Sequence, residues 1–169
     1  MTPLISIALQ FVIIAYALVS GVFLAFSDFV MRALAHTGGS GGVSTMQAIN
    51  REVFRWVFMT LFIGMAPISL AISVYGGIVI GPGPGTLFML AGLIYFIGCF
   101  GVTLCFNVPL NETLAGMDAS AQTARDYWSS TYLPRWTFWN TVRTASSAVS
   151  AALLLFGLLW MTQNQTQPV

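Results

Sequence analysis

Four long apolar runs alternate with short polar breaks along this chain, and that alternation predicts its elements. A spanning helix needs about 20 mainly apolar residues. Runs over about 4–30, 56–80, 86–108 and 139–161 each reach that length. Residues 81–85, Gly-Pro-Gly-Pro-Gly, cannot continue a helix and predict a tight turn between the second and third runs. Residues 37–42, Thr-Gly-Gly-Ser-Gly-Gly, predict a flexible loop. Just after it, Ser44 and Gln47 have the spacing of a capping box, so a helix is expected to start near Thr45. Met46, Ile49, Val53 and Val57 recur at helical spacing and carry that helix straight into the second run. Pro109 cannot donate to the carbonyl of Cys105, so a kink is expected there. The uncharged polar tail, residues 162–169, is expected to fray. The pattern predicts an all-α, integral membrane four-helix bundle, antiparallel and up-down, forming a single domain over residues 1–169.

Composition places this bundle in a lipid bilayer. The chain is 57% hydrophobic and only 7% charged, where soluble domains carry roughly 25% charged residues. Mean hydropathy is +0.82. A net charge of +1 supplies no basic field, so no nucleic-acid partner is expected. The first run lacks a basic flank and exceeds the apolar stretch of a signal peptide, so it is read as a retained span.

Charge sharpens the topology. Asp28, Arg32, Arg51, Glu52 and Arg55 form one charged stretch; Glu112, Asp118, Arg125, Asp126, Arg135 and Arg143 form the other. An up-down bundle brings both stretches to one end. All six cations are arginines, and the opposite end has none. The positive-inside rule then puts the charged loops in the cytoplasm and both termini outside, with a bacterial inner membrane as the expected location. Small residues mark expected helix contacts: Gly21 with Ala25, Gly98 with Gly101, Ser146 with Ser150. A homo-oligomer would use the same signals, so the oligomeric state stays open.

Candidate chemistry follows from polar residues inside or beside the spans. Asn50, Arg51, Glu52 and Arg55 lie at the entrance of the second span. They suit a topology anchor; Glu52, if turned inward, is instead a carboxylate in a dry site and a plausible base or acid. Thr103, Asn107 and Asn111 share a helical face. Their amides serve either as glue between helices or as a neutral surface for a phenol, carbonyl or enolate oxygen. Trp136, Asn140 and Arg143 share another face, continued by Ser147 and Ser150. An arginine this deep in an apolar helix is costly unless it is paired or in a wet cavity, and Glu52, Asp28 and Glu112 are its candidate partners. Trp128 and Trp139 suit interface anchors. Cys99 and Cys105 point to different sides of a helix and are expected to be buried small hydrophobes. His36, beside the glycine loop, is expected to be solvated. These few ligands do not suggest a transition-metal or haem site.

The segments Met46-Gln47-Ala48-Ile49-Asn50-Arg51, Phe106-Asn107-Val108-Pro109-Leu110-Asn111 and Trp136-Thr137-Phe138-Trp139-Asn140-Thr141-Val142-Arg143-Thr144 resemble the anthrone-oxygenase-like family of small four-span membrane proteins, many of them filed as a domain of unknown function. The resemblance covers nearly the whole chain in the same order. It implies oxygenation of a hydrophobic anthrone-type aromatic polyketide, with no metal, flavin or other cofactor. On that expectation Asn107, Asn111 and Asn140 hold an oxyanion and Arg143 stabilises the developing charge. Glu52 is the base, with Asp28 behind it, and Asn50 and Trp136 complete the substrate site. The alternative expectation is a non-catalytic membrane protein, either a small hydrophobic ligand binder or an accessory subunit. Transport ranks third, since four spans are few for alternating access.

Overall fold

Helices follow the apolar pattern, but they run longer than the bilayer requires. The computed structural model describes residues 2–165. Helix α1 spans Pro3–Ala35, α2 Gly41–Glu52, α3 Val57–Ile80, α4 Pro84–Ala115 and α5 Gln122–Gln163. All but α2 are long and apolar enough to cross a membrane. Thr2 caps α1, its hydroxyl accepting from the Ile5 amide at 3.5 Å, and Pro3 fills the first turn, where no amide donor is needed. The turn between α3 and α4 forms as expected. Gly81 and Gly83 have φ of 79° and 84°, a region other residues rarely adopt, and Pro84 opens α4.

Two proline positions are absorbed by wide turns. A π-helical turn over Thr103–Asn107 precedes Pro109, and another over Trp128–Tyr132 precedes Pro134. In each case the carbonyl four residues before the proline falls inside the wide turn, where the pairing is already shifted.

Neighbouring spans run antiparallel. The Ser20 hydroxyl donates to the Thr144 carbonyl at 3.0 Å, and the Ser73 hydroxyl to the Met89 carbonyl at 3.0 Å. Ser147 donates to the Cys99 sulfur at 3.1 Å. A Cβ on Gly92 would collide with the Ser69 carbonyl, and one on Gly98 with the Ser146 hydroxyl, so α4 lies tightly against both α3 and α5. The expected contact at Gly21 does not form: nothing lies within 4 Å of a Cβ built there. Gly101 meets only a carbonyl of its own helix.

Two apolar cores stack along the bundle. The first joins Leu9, Tyr16, Phe23, Phe62, Phe88, Tyr95 and Leu154. Tyr16 and Tyr95 stack at 4.5 Å there, and each hydroxyl finds a partner, Ser69 at 2.6 Å and the Phe62 carbonyl at 3.3 Å. The second core, at the charged end, joins Met31, Val43, Met46, Leu114, Trp128, Tyr132 and Trp136. On the outer surface Phe11, Ile63, Ile78 and Phe156 are each more than half exposed. An apolar coat of this kind suits hydrocarbon, not water.

The helices outrun the expected spans, and several expectations need correction. The 42 residues of α5 span about 63 Å at 1.5 Å each, twice the roughly 30 Å hydrocarbon core. It begins at Gln122, well before residue 139, and α4 runs on past residue 108 to Ala115. Trp128 is accordingly no interface anchor; it is 8% exposed in the second core. Helix α2 starts at Gly41, and no capping box forms. Ser44 donates to the Gly41 carbonyl, while Gln47 reaches the carbonyls of Leu114 and Met117 at 2.8 and 2.9 Å. Nor does α2 continue into α3. The chain breaks over residues 53–56, where Trp56 takes φ 51° and ψ −113°, a strained conformation for a bulky residue. Finally, Cys105 is exposed, while Cys99 is buried. Residues 162–165 of the polar tail continue the helix, and residues 166–169 lie outside the described residues.

Candidate functional site

All five helices and the 53–56 linker line a cavity of about 260 Å³ where the two cores meet. Phe23 and Phe26 of α1 form one wall, and Phe58 and Phe62 of α3 another. Met46, Ile49 and Asn50 of α2 close it on the charged side. Phe100, Thr103 and Asn111 of α4 and Trp136 and Arg143 of α5 complete it. Phe54, Ile63 and Leu104 also line it and are more than half exposed, so they form its rim.

Among the described residues, Arg143 is the one ionisable side chain of that lining. Its position three and seven residues after Asn140 and Trp136 puts all three on the inner face of α5, where each is at most 5% exposed. One guanidinium nitrogen donates to the Asn140 side-chain amide oxygen at 2.6 Å, and another to the Thr103 hydroxyl at 3.3 Å. The third, Nε, is buried with no partner among the described residues. The guanidinium carbon lies 4.1 Å from the Phe23 ring centre and 5.2 Å from that of Trp136, within cation–π range.

None of the three expected acids reaches it. Asp28 pairs with Arg32 at 2.9 Å and Glu52 with Arg55 at 2.9 Å, and all four side chains are more than half exposed. Glu112 is exposed on α4. Glu52 is therefore turned away from the cavity, and the condition for a dry-site carboxylate is not met. The break after Glu52 leaves it on the outer side of α2's last turn, next to Arg55 in the linker.

The amides divide into two groups. Asn50, Asn111 and Trp136 line the cavity with Arg143. The Asn111 side-chain amide oxygen accepts from the Tyr132 hydroxyl at 2.7 Å and the Trp136 indole at 2.8 Å. Asn50 approaches the same hydroxyl at 3.5 Å. With both acceptor positions of Asn111 taken, its amide nitrogen is the group left to face an occupant. Asn107 and Asn140 serve the bundle instead. Asn107 donates to the Trp136 carbonyl at 3.2 Å. Asn140 donates to the Phe23 carbonyl and the Ser27 hydroxyl, both at 2.6 Å, and so ties α5 to α1 while holding Arg143 from its other end.

Sequence reasoning missed Tyr132 and the phenylalanine walls. Trp128, Tyr132, Trp136 and Asn140 recur every fourth residue, and Trp128–Tyr132 and Tyr132–Trp136 stack at 5.3 and 6.2 Å. That spacing was the available signal. Trp139 stacks on Phe106 at 3.7 Å on the other side of α5, away from the cavity. His36 is exposed.

The arrangement is an apolar, aromatic-walled chamber with one buried cation and a few neutral donors at its polar end. It can hold a compact flat molecule and stabilise negative charge on one of its oxygens. The model of the anthrone oxygenase family matches residues 54–153, which include every polar member of the site except Asn50. No curated protein and no solved structure matches the chain.

Proposed function

The chain belongs to the anthrone oxygenase family, and from that premise we propose that it oxygenates a compact hydrophobic hydroxyaromatic of the anthrone class with molecular oxygen. The observation that carries this is Arg143, a buried cation without an acidic partner at the wall of an apolar cavity. An anthrone-type methylene loses a proton, and the electron pair spreads onto the ring oxygen as an enolate. Arg143 and the Asn111 amide stabilise that oxyanion, in a dry chamber where such contacts are strongest. The carbanion gives one electron to oxygen, and the two radicals combine in a new C–O bond. The remaining C–H bond and the O–O bond then break, leaving a carbonyl on the ring and releasing one water. The electron-rich substrate, once deprotonated, itself supplies the electrons for these steps.

The test is oxygen uptake by the purified protein with 1,8-dihydroxyanthrone. The wild type should consume oxygen faster than a protein-free control, and Arg143→Ala should lose roughly 10²–10³ in kcat, as when one oxyanion donor is removed. Uptake equal to the control overturns the proposal. One observation favours a second function, a non-catalytic binder of the same ligand: the cavity presents no carboxylate or imidazole among the described residues. That function predicts saturable binding with no oxygen consumed.

A further inference from the structure

Arg143 is only 4% exposed, and its hydrogen-bond partners, Asn140 and Thr103, are neutral. The aromatic faces of Phe23 and Trp136 disperse its charge without cancelling it. A buried charge with no counter-ion is costly, and the protein's acids at this end are exposed, Asp28 and Glu52 being already paired. Among the described residues the cavity lining also contains no carboxylate or imidazole suited to take a proton. Both facts have one resolution if the missing negative charge arrives with the occupant.

We infer that the cavity takes its occupant already ionised, as a planar hydroxyaromatic anion whose phenolate or enolate oxygen is the counter-ion of Arg143. This rests on the cavity being the ligand site, and it adds the charge state in which the ligand enters. The unpartnered Nε shows that the neutral partners leave the guanidinium incompletely satisfied. A flat ring system fits better than an acyl chain, because phenylalanine and tryptophan faces form the walls. The volume of about 260 Å³ lies just under the roughly 300 Å³ at which drug-sized sites begin, which suits two or three fused rings. The ligand's proton is then lost to water before enclosure, and ligands of lower phenolic pKa bind more tightly at a given pH.

The experiment uses the full chain in detergent and alizarin, a hydroxyanthraquinone dye whose absorption moves to the red on ionisation. It is titrated about one pH unit below the dye's own pKa, where an opposite charge within ~4–6 Å lowers a pKa by about 1–3 units. Bound dye should show the anion's band, with at least a tenfold rise in the ratio of ionised to neutral dye, and Arg143→Gln should abolish that rise. In case Arg143→Gln does not fold, Ile49→Trp fills the chamber from α2 without touching the arginine; it should block dye binding in a folded protein. Wild type that binds the dye in its neutral form overturns the inference and leaves the oxygenase proposal standing. Dye bound as the anion by a protein that consumes no oxygen supports the inference and sinks the oxygenase. No dye binding, binding unchanged in Ile49→Trp, or displacement of the dye by laurate at equal concentration overturns the ligand class itself.

Discussion

Asn140 is predicted to be the costliest polar side chain to remove from this bundle, apart from the arginine it holds. Its amide nitrogen makes two contacts to α1, at 2.6 Å to the Phe23 carbonyl and 2.6 Å to the Ser27 hydroxyl. Its oxygen accepts from the Arg143 guanidinium at 2.6 Å. Polar contacts between membrane helices average about 0.6 kcal/mol each, with a range to 1–2. A hydrogen bond to a charged group contributes about 1.5–3 kcal/mol. Asn140→Ala removes all three and leaves the guanidinium with the Thr103 hydroxyl at 3.3 Å, so a loss of about 3–4 kcal/mol is expected. The assay is reversible unfolding of purified protein in mixed micelles of increasing SDS fraction, followed by tryptophan fluorescence. Asn107→Ala is the internal comparison, because that side chain makes one contact of 3.2 Å; it should cost about 1 kcal/mol. If Asn140→Ala lies within 1 kcal/mol of wild type, or costs no more than Asn107→Ala, the clasp between α1, α5 and Arg143 does not carry the energy assigned to it.

Three further outcomes are expected. Gly92→Ala should cost about 1–3 kcal/mol by the same SDS assay, since its Cβ meets the Ser69 backbone, whereas Gly21→Ala, with open space, should be neutral or slightly stabilising. If the charged end faces the cytoplasm, Gly38→Cys in a Cys105→Ser background should resist a membrane-impermeant maleimide in intact cells and label after lysis; ready labelling of intact cells inverts the topology. The Asp118 carboxyl accepts from the Ser120 amide and hydroxyl at 2.9 and 2.8 Å, which hold it below the usual carboxylate range. A depressed folded pKa gives stability that is present above the unfolded value and lost as pH falls through the folded one. Asp118→Asn should therefore lower the unfolding midpoint slightly at neutral pH and leave it unchanged in strong acid; equal effects at both would refute the assignment.

The four apolar runs and the Gly-Pro turn were legible because length and proline chemistry act locally. Arg143 was legible for a different reason: a cation in hydrocarbon demands an explanation wherever it occurs. What surrounds it was not, because that depends on how separate helices cross. Asn107 and Asn111 stand one turn apart on one face, yet the first meets the Trp136 carbonyl and the second the cavity. Only the path of α5 decides between them. The break at residues 53–56 carries no glycine or proline. It is set by distant ties, Gln47 holding α2 to the end of α4 while Trp56 turns the chain through a strained angle. Glu52 was misplaced for that reason: the direction of its side chain depends on a helix end that local propensity does not mark. Trp128 was misread because the polar residues around it, from Gln122 to Thr131, hid a buried aromatic ladder.

The break between α2 and α3 also leaves one side of the seam between the cores without a helix. Helices α1, α4 and α5 pass the seam between the two cores without losing their backbone hydrogen bonds in any long stretch. Only the α2–α3 side lacks a continuous ladder there, over residues 53–56. On one side of the gap α2 is clamped to α4 through Gln47; on the other, α3 is clamped to α4 through Ser73 and the Tyr95 hydroxyl. Phe54 and Phe58 border the cavity from within and just beyond that gap. Between those two fixed points the chamber's rim, Phe54, Ile63 and Leu104, lies exposed on the apolar outer surface of the bundle.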